Sequence, residues 1–529
     1  MLRLHSAILA RPKLNRPRVP VAAEPVKSRV TRAYSFYALG LLAFINLLNY
    51  LDRNVIFALF EPIKRELLLS DVQLGWLGSA YILVFSIAAL PFGVISDLRS
   101  RRAVIAFGVG VWSAFTVLSG TVRSFGQLFT CRAAVGIGEA AYGPAASSLV
   151  ADYFPSRGRA VAMGVLASGV SLGGVLGIYL GGKLEAIHGW RIAFMAVGVP
   201  GFLCAVLAAR LVDPTRSPTK LSIRKYLIEL EVGLTAVARH FLPLIIMAGL
   251  GGAVALVLDR HFGADSKADI ATLAGFIAIG LAWNIFTWVR RIQSDQLDET
   301  PFGGSIAGAF EDIIQAVKTV LRTPTLVYIF VGGALISFGV NGIVGWGPTF
   351  LTRELGLSPG DAAKTLGKWG FIFGTAGTLF GGVLADWLRR YTASARVLTV
   401  AMGFLLGGPL AIWLLTIRDL SLFVPVSCAT FFCLSWYNGP IAAATFDVVP
   451  ARISATVIGA YLLFIHLAGD AIALPLVGKL SDIFGLARAV LVLPIAAMAG
   501  GVVMLGATRT VVADMKRVAG KTVAGAAPA

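Results

Sequence analysis

The chain has 529 residues, 57% of them hydrophobic and only 14% charged, with mean hydropathy +0.79 and a net charge of +18. Soluble domains carry about 25% charged residues, so this composition excludes a soluble globular protein and predicts a polytopic membrane protein. The positive charge does not indicate a nucleic-acid partner. Basic residues gather in the loops on one side of the predicted membrane and in both termini, where they orient the chain and meet anionic lipid headgroups.

Residues 1–36 are basic and proline-rich and lack an apolar core of signal-peptide length, which predicts a cytosolic tail. Apolar runs follow at about 37–60, 72–96, 103–121, 125–150, 158–182 and 190–211, then at about 324–351, 363–387, 396–416, 421–448, 453–477 and 487–508. A helix needs roughly 20 such residues to cross a bilayer core. Residues 37–213 are therefore expected to form one six-helix bundle and 324–508 a second, with 509–529 as a cytosolic tail. The linker 214–323 holds two more uncharged stretches, 241–258 and 270–289, the second closed by Arg290 and Arg291. They predict an extra spanning pair and an all-α protein of fourteen spans. Near them Ile306, Phe310, Ile313, Ile314, Val317 and Leu321 recur at helical spacing, as in an amphipathic helix on the cytosolic face.

The two bundles read as internal repeats. Gly143-Pro144, Pro155-Ser156-Arg157, Gly164 and Gly182-Lys183-Leu184 recur as Gly439-Pro440, Pro450-Ala451-Arg452, Gly459 and Gly478-Lys479-Leu480, offset by 295 or 296 residues. Gly93-Val94-Ile95-Ser96-Asp97 recurs as Gly382-Val383-Leu384-Ala385-Asp386. Repeated halves of this kind build a site at the membrane midplane and rock around it.

Charges inside apolar runs are the candidate functional residues. Asp52 and Arg53 interrupt the first run, which continues to Phe60. Such a charge costs about 2.5–3.5 kcal/mol at the centre of a membrane helix, so it faces a partner or a watery cavity. In the fourth run Arg132 and Glu139 are seven residues apart, on one helix face and about 10 Å from each other. By residue count Asp52 and Arg132 lie at similar depth, and Glu139 lies near mid-membrane, where desolvation favours a neutral carboxyl. His466 and Asp470 form another titratable pair, four residues apart. Gly169, Gly173, Gly174 and Gly177 are suited to close helix packing. Cys131, Cys204, Cys428 and Cys433 sit in apolar runs without metal-ligand spacing, so no metal or cofactor is expected. With no nucleophile–base set, zinc spacing or phosphate loop, an enzyme is not expected either.

The loop Gly93-x-x-x-Asp97-x-Arg99-x-Arg101-Arg102 resembles the cytosolic signature of the major facilitator superfamily, with Leu98 and Ser100 in place of its usual basic residue and glycine. Further motifs resemble the spinster branch of that superfamily. They are Asn49-Tyr50-Leu51-Asp52-Arg53, Ser70-Asp71-Val72-Gln73-Leu74-Gly75, Arg132-x-x-x-Gly136-Ile137-Gly138-Glu139-Ala140, Asp152-Tyr153-Phe154-Pro155, Trp346-Gly347-Pro348-Thr349-Phe350-Leu351 and Gly478-Lys479-Leu480-Ser481-Asp482. The resemblance covers about 37–213 and 316–508 and omits both tails and the extra pair.

It implies a major facilitator fold of two six-helix bundles related by a pseudo-twofold axis, with helices 1 and 4 beside a central cavity. An Asp52–Arg132 ion pair is then expected, and Asp52, Arg53, Arg132 and Glu139 become the coupling residues. Glu139 would carry the proton while Arg132 holds Asp52. Gly93, Asp97, Arg101, Arg102 and Asp386 are expected to gate the cytosolic side, the arginines binding carboxylates of the other half. Asn341, Trp436, Tyr437, Asn438, His466 and Asp470 are expected to shape the substrate cavity. The activity implied is proton-coupled secondary transport of a small amphipathic or anionic organic solute. The transporter would be a monomer in the bacterial inner membrane, with both termini cytosolic. Two alternatives stay open. One is an organic-anion symporter of the anion–cation symporter type, which shares the Asn-Tyr-Leu-Asp-Arg and Arg…Glu-Ala elements. The other is a non-transporting receptor on the same fold.

Overall fold

Local chemistry sets where the helices begin and end. Thr31 caps the first helix, its hydroxyl accepting from the Tyr34 amide at 3.3 Å, and Leu68 closes it in the left-handed conformation at φ 53°. Ser124 and Ser358 cap later helices in the same way. The computed structural model describes residues 30–98, 100–154, 156–213, 316–450 and 453–524, with scattered positions between 242 and 290. Helices α1 (Arg32–Leu67), α2 (Asp71–Leu98), α3 (Arg101–Ser119) and α4 (Phe125–Tyr153) lead into the run Ser156–Ala209, which Gly189 breaks into α5 (156–188) and α6 (190–209). The second half holds α7 (Pro324–Glu354), α8 (Pro359–Leu388), α9 (Ala395–Thr416) and α10 in two pieces, Leu420–Leu434 and Asn438–Asp447. Helix α11 runs through Ser454–Ile465, a π turn at His466–Asp470 and Ala471–Phe484. Helix α12 comprises Leu486–Ala489 and Val492–Ala507, and α13 is Val511–Ala524.

The internal repeat extends to backbone geometry. Gly189, between α5 and α6, has φ 81° and ψ 163°, and Gly485, between α11 and α12, has φ 81° and ψ 153°. This region of backbone space is essentially closed to residues with a Cβ. Each half therefore turns its fifth helix into its sixth at a glycine. Small residues also set the α1–α5 contact. A Cβ on Gly173 would collide with the Leu47 carbonyl, one on Gly177 with that of Leu51, and one on Gly169 would lie 2.8 Å from the Leu47 nitrogen. Gly174 faces the Asn54 side chain more loosely, at 3.7 Å.

Burial shows how the halves sit. The ends of α1 and α7 meet at one face, where Arg353 bonds Glu61, so their beginnings share the opposite face, that of the chain ends. Near the α1 and α7 ends a single apolar core crosses between the halves, with Phe57, Phe60, Trp346 and Leu474 at its centre. Towards the chain ends the core divides, one cluster within α1–α6 and another within α7–α13 together with 316–320. The halves are thus closed against each other at the face opposite the chain ends, where α2 lies on α11 and α5 on α8.

The segments 241–258 and 270–289 lie mostly outside the described residues. Their described positions, such as 242–243, 246–247, 282–284 and 286–287, are helical, and Gly251 packs against the Phe276 side chain. Most of the predicted amphipathic helix also lies outside them, with 316–322 helical.

Candidate transport site

Asp52 and Arg53 are neighbours on α1, so their side chains leave the helix about 100° apart. Asp52 turns to α3 and α4. Arg132 Nη1 donates to its Oδ1 at 3.0 Å, Thr116 Oγ1 donates to its Oδ2 at 2.6 Å, and Arg132 Nη2 reaches its carbonyl at 3.2 Å. Asp52 and Arg132 are 1% and 0% exposed. Taking each ion out of water costs several kcal/mol, which the pairing and the added hydrogen bonds must offset.

Arg53 instead takes Glu139, its Nε donating to Oε2 at 2.6 Å. Side chains lean towards the N-terminus of their helix, and arginine is long enough to reach an acid two turns deeper than Arg132. Aromatic rings surround the guanidinium. It lies 4.6 Å from the centroid of Tyr50, 4.7 Å from Phe85 and 5.5 Å from Tyr81. Glu139 Oε1 and Arg132 Nε are buried and, among the described residues, have no hydrogen-bond partner. The cluster so keeps one acceptor and one donor uncommitted.

The second half builds a polar cluster of its own. The π turn in α11 brings Asp470 to α7, where Ser337 and, at 2.8 Å, Asn341 Nδ2 donate to Oδ1, while His466 Nδ1 meets Oδ2 at 2.6 Å. The His466 ring is edge-on to Phe85 of α2, centroids 6.3 Å apart. Phe85 therefore touches Arg53 in one half and His466 in the other, at mid-depth.

At the face opposite the chain ends, Asp71 is the hub of a bridge between the halves. Arg353 donates to its two oxygens at 2.7 and 2.8 Å and to Glu61 at 2.6 Å, and Lys64 and Ser481 donate to it as well. The amides of Asp71 and Val72 donate to Asp482 at 2.8 and 3.0 Å. The motifs Ser70–Gly75 and Gly478–Asp482 thus bind each other. Asp71 precedes the apolar run of α2. Burial pushes its pKa up, but hydrogen bonds from Arg353, Lys64 and Ser481 outweigh burial and hold the carboxyl well below the usual carboxylate range.

The sequence profile described as Major Facilitator Superfamily matches residues 42–469. The chain belongs to the major facilitator superfamily. This facilitator is 27% identical over 451 residues to an MFS-type efflux pump of Mycolicibacterium smegmatis, covering 84% of each chain. It is 22% identical over 480 residues to the protein spinster of Drosophila melanogaster, covering 88% of this chain and 64% of that one. Its fold matches a bacterial homolog of the human lysosomal transporter spinster in an inward-facing, unoccupied conformation. The TM-score is 0.68 at 21% identity, over 92% of this chain and 99% of that one. The facilitator is accordingly a multi-pass membrane transporter of that superfamily, with spinster proteins among its relatives.

Several expectations about individual residues change. Glu139 is not left without a cation while Arg132 holds Asp52, because Arg53 supplies one. Arg101 is buried and ion-paired with Asp152 and Asp213, and Arg102 donates to the Leu211 carbonyl. These partners belong to the arginines' own half rather than to the other, since the ends of α4 and α6 come to the start of α3. Gly93 and Asp97 fall on helical backbone, and the Asp97 side chain lies outside the described residues. Asp386 is exposed near the end of α8. Trp436 does not line the seam between the halves. It is buried against Phe380 and Phe432, while Tyr437 packs on Phe404 and Asn438 donates to Thr378 within the same half. Of the expected cavity residues, Asn341, His466 and Asp470 come together. Phe85, Tyr81, Thr116 and the Asp71–Arg353 bridge carry no periodicity or spacing signal, since each gains its role from a helix far away in the chain.

Proposed function

We propose that this facilitator is a proton-coupled secondary transporter that moves a small amphipathic or anionic organic solute by alternating access. The observation that carries this reading is the buried Arg53–Glu139 pair beside Asp52–Arg132. An anionic group on the solute competes with Glu139 for Arg53. Once displaced, Glu139 stands in a dry site without a cation, where a lone carboxylate is costly, and it takes up a proton. The rings of Tyr50, Tyr81 and Phe85 offer apolar faces to the rest of the solute, and Asn341, His466 and Asp470 face it from the second half. Rocking then requires the bridge at Asp71 to part. With the basic loops on the cytosolic side, both termini are cytosolic in a bacterial inner membrane, the latched face is external, and the monomer is the working unit.

The test is a screen in proteoliposomes of organic acids and lysolipid-like amphiphiles, with the pH gradient imposed or collapsed. At least one solute should accumulate with the gradient and only exchange without it. Accumulation that ignores the gradient would remove the coupling part of the reading.

A further inference from the structure

Where α2 and α11 press together, a groove of about 380 Å³ runs along their seam, lined by Val72, Trp76 and Leu83 on one side and Ile472, Leu476 and Lys479 on the other. At this depth the two halves share one core, so the side chains left exposed lie on the lipid side. Trp76, Ile472 and Leu476 are 41%, 49% and 39% exposed. Lys479 is the only charged residue among those lining the groove, and among the described residues it makes no ion pair or hydrogen bond.

The length of the groove indicates its occupant. Val72 to Leu83 spans eleven residues, about 16 Å at 1.5 Å per residue, close to half of a hydrocarbon core about 30 Å thick. The groove therefore runs from headgroup level, where Val72 opens α2 and Lys479 lies in the last turns of α11, down to the midplane. Trp76 sits where interfacial aromatic residues belong.

We propose that this groove binds one phospholipid of the leaflet at that face, an acyl chain between α2 and α11 and an anionic headgroup on Lys479. The site exists only while the halves are closed here. A Cβ on Gly75 would collide with the Leu474 carbonyl and one on Gly478 with the Asp71 carbonyl, so the walls stand at glycine distance and part when the bridge opens. A lipid that binds only this arrangement stabilises it, because a ligand shifts an equilibrium by its differential affinity for the two states.

The experiment is native mass spectrometry of the full chain in detergent, titrated with phosphatidylglycerol or phosphatidylcholine. Wild type should retain one phosphatidylglycerol about fivefold more tightly than phosphatidylcholine, the ratio given by about 1 kcal/mol per lysine near an anionic surface. Lys479→Glu should lose that preference while still holding either lipid weakly. Ile472→Trp, which fills the trough and leaves the charge, should hold neither. Lys479→Gln and Leu476→Trp serve if either variant fails to fold. A phosphatidylglycerol preference as strong in Lys479→Glu as in wild type, or undiminished lipid in Ile472→Trp, overturns the proposal.

Discussion

Arg53 and Glu139, 86 residues apart in the chain, meet at 2.6 Å between α1 and α4, one residue along α1 from the pair Asp52–Arg132. Two acids and two bases are thereby neutralised in pairs inside an apolar bundle. That arrangement tolerates exchange of one partner far better than loss of one, because an unpaired buried ion is costly.

Glu139→Gln keeps an acceptor for Arg53 but cannot carry a proton. It should reduce uphill, pH-driven accumulation to background and leave exchange at equal concentrations measurable in proteoliposomes. Persistent accumulation would move the proton to the His466–Asp470 pair.

Asp52→Asn leaves Arg132 buried opposite a neutral amide. Removing one member of a buried pair costs about 3–5 kcal/mol, so both uphill transport and exchange should fail and thermal stability should drop. Thr116→Val, which removes one hydrogen bond to the charged carboxylate, should cost about 1.5–3 kcal/mol. An unfolding series ranking the two equally would contradict the assignment of Arg132 to Asp52.

Arg353→Gln cuts the Asp71 and Glu61 contacts together. A cysteine at Ala473, fully buried in the shared core, should then react faster with an impermeant thiol reagent in a background without the native cysteines. Acid should not imitate this change. The folded pKa of Asp71 is depressed, so its stabilisation is complete above the unfolded carboxylate value of about 3.9 and disappears only as pH falls through the lower folded value. Reactivity at Ala473→Cys, divided by that of a fully exposed cysteine to remove the pH dependence of the thiolate itself, should be the same at about pH 5 and about pH 8. A difference would show that the bridge itself titrates.

Gly173→Val would force α5 away from α1 at the Leu47 carbonyl. Overpacking of this kind costs about 1–3 kcal/mol, to be read as a lower thermal midpoint. Gly164 has open space around it, and Gly164→Ala should be neutral or gain up to about 1 kcal/mol from helix propensity. Equal midpoints for the two variants would show that the α1–α5 approach is not glycine-dependent.

Ser266→Cys tests the fourteen-span topology. If the segments around 241–258 and 270–289 both cross, the new thiol should be labelled from outside intact cells. Labelling only after the membrane is opened would place that loop inside.

The membrane class, the two apolar sets and their internal repeat were all legible in the chain, because hydropathy and spacing are properties of contiguous residues. The charges worth attention were legible for the same reason: Asp52, Arg132 and Glu139 stand out against their apolar surroundings, and the depth count placed Asp52 level with Arg132. Which charge takes which partner was decided by tertiary structure. Arg53 reaches Glu139 only because α4 passes at the distance an arginine side chain spans, and Arg101 turns to Asp152 and Asp213 because the ends of α4 and α6 converge on it. The Asp71–Arg353 bridge and the shared core around Trp346 depend on how the two halves are tilted against each other. That tilt is a choice between two packings of one sequence, so no local pattern in the chain can encode which of them is described.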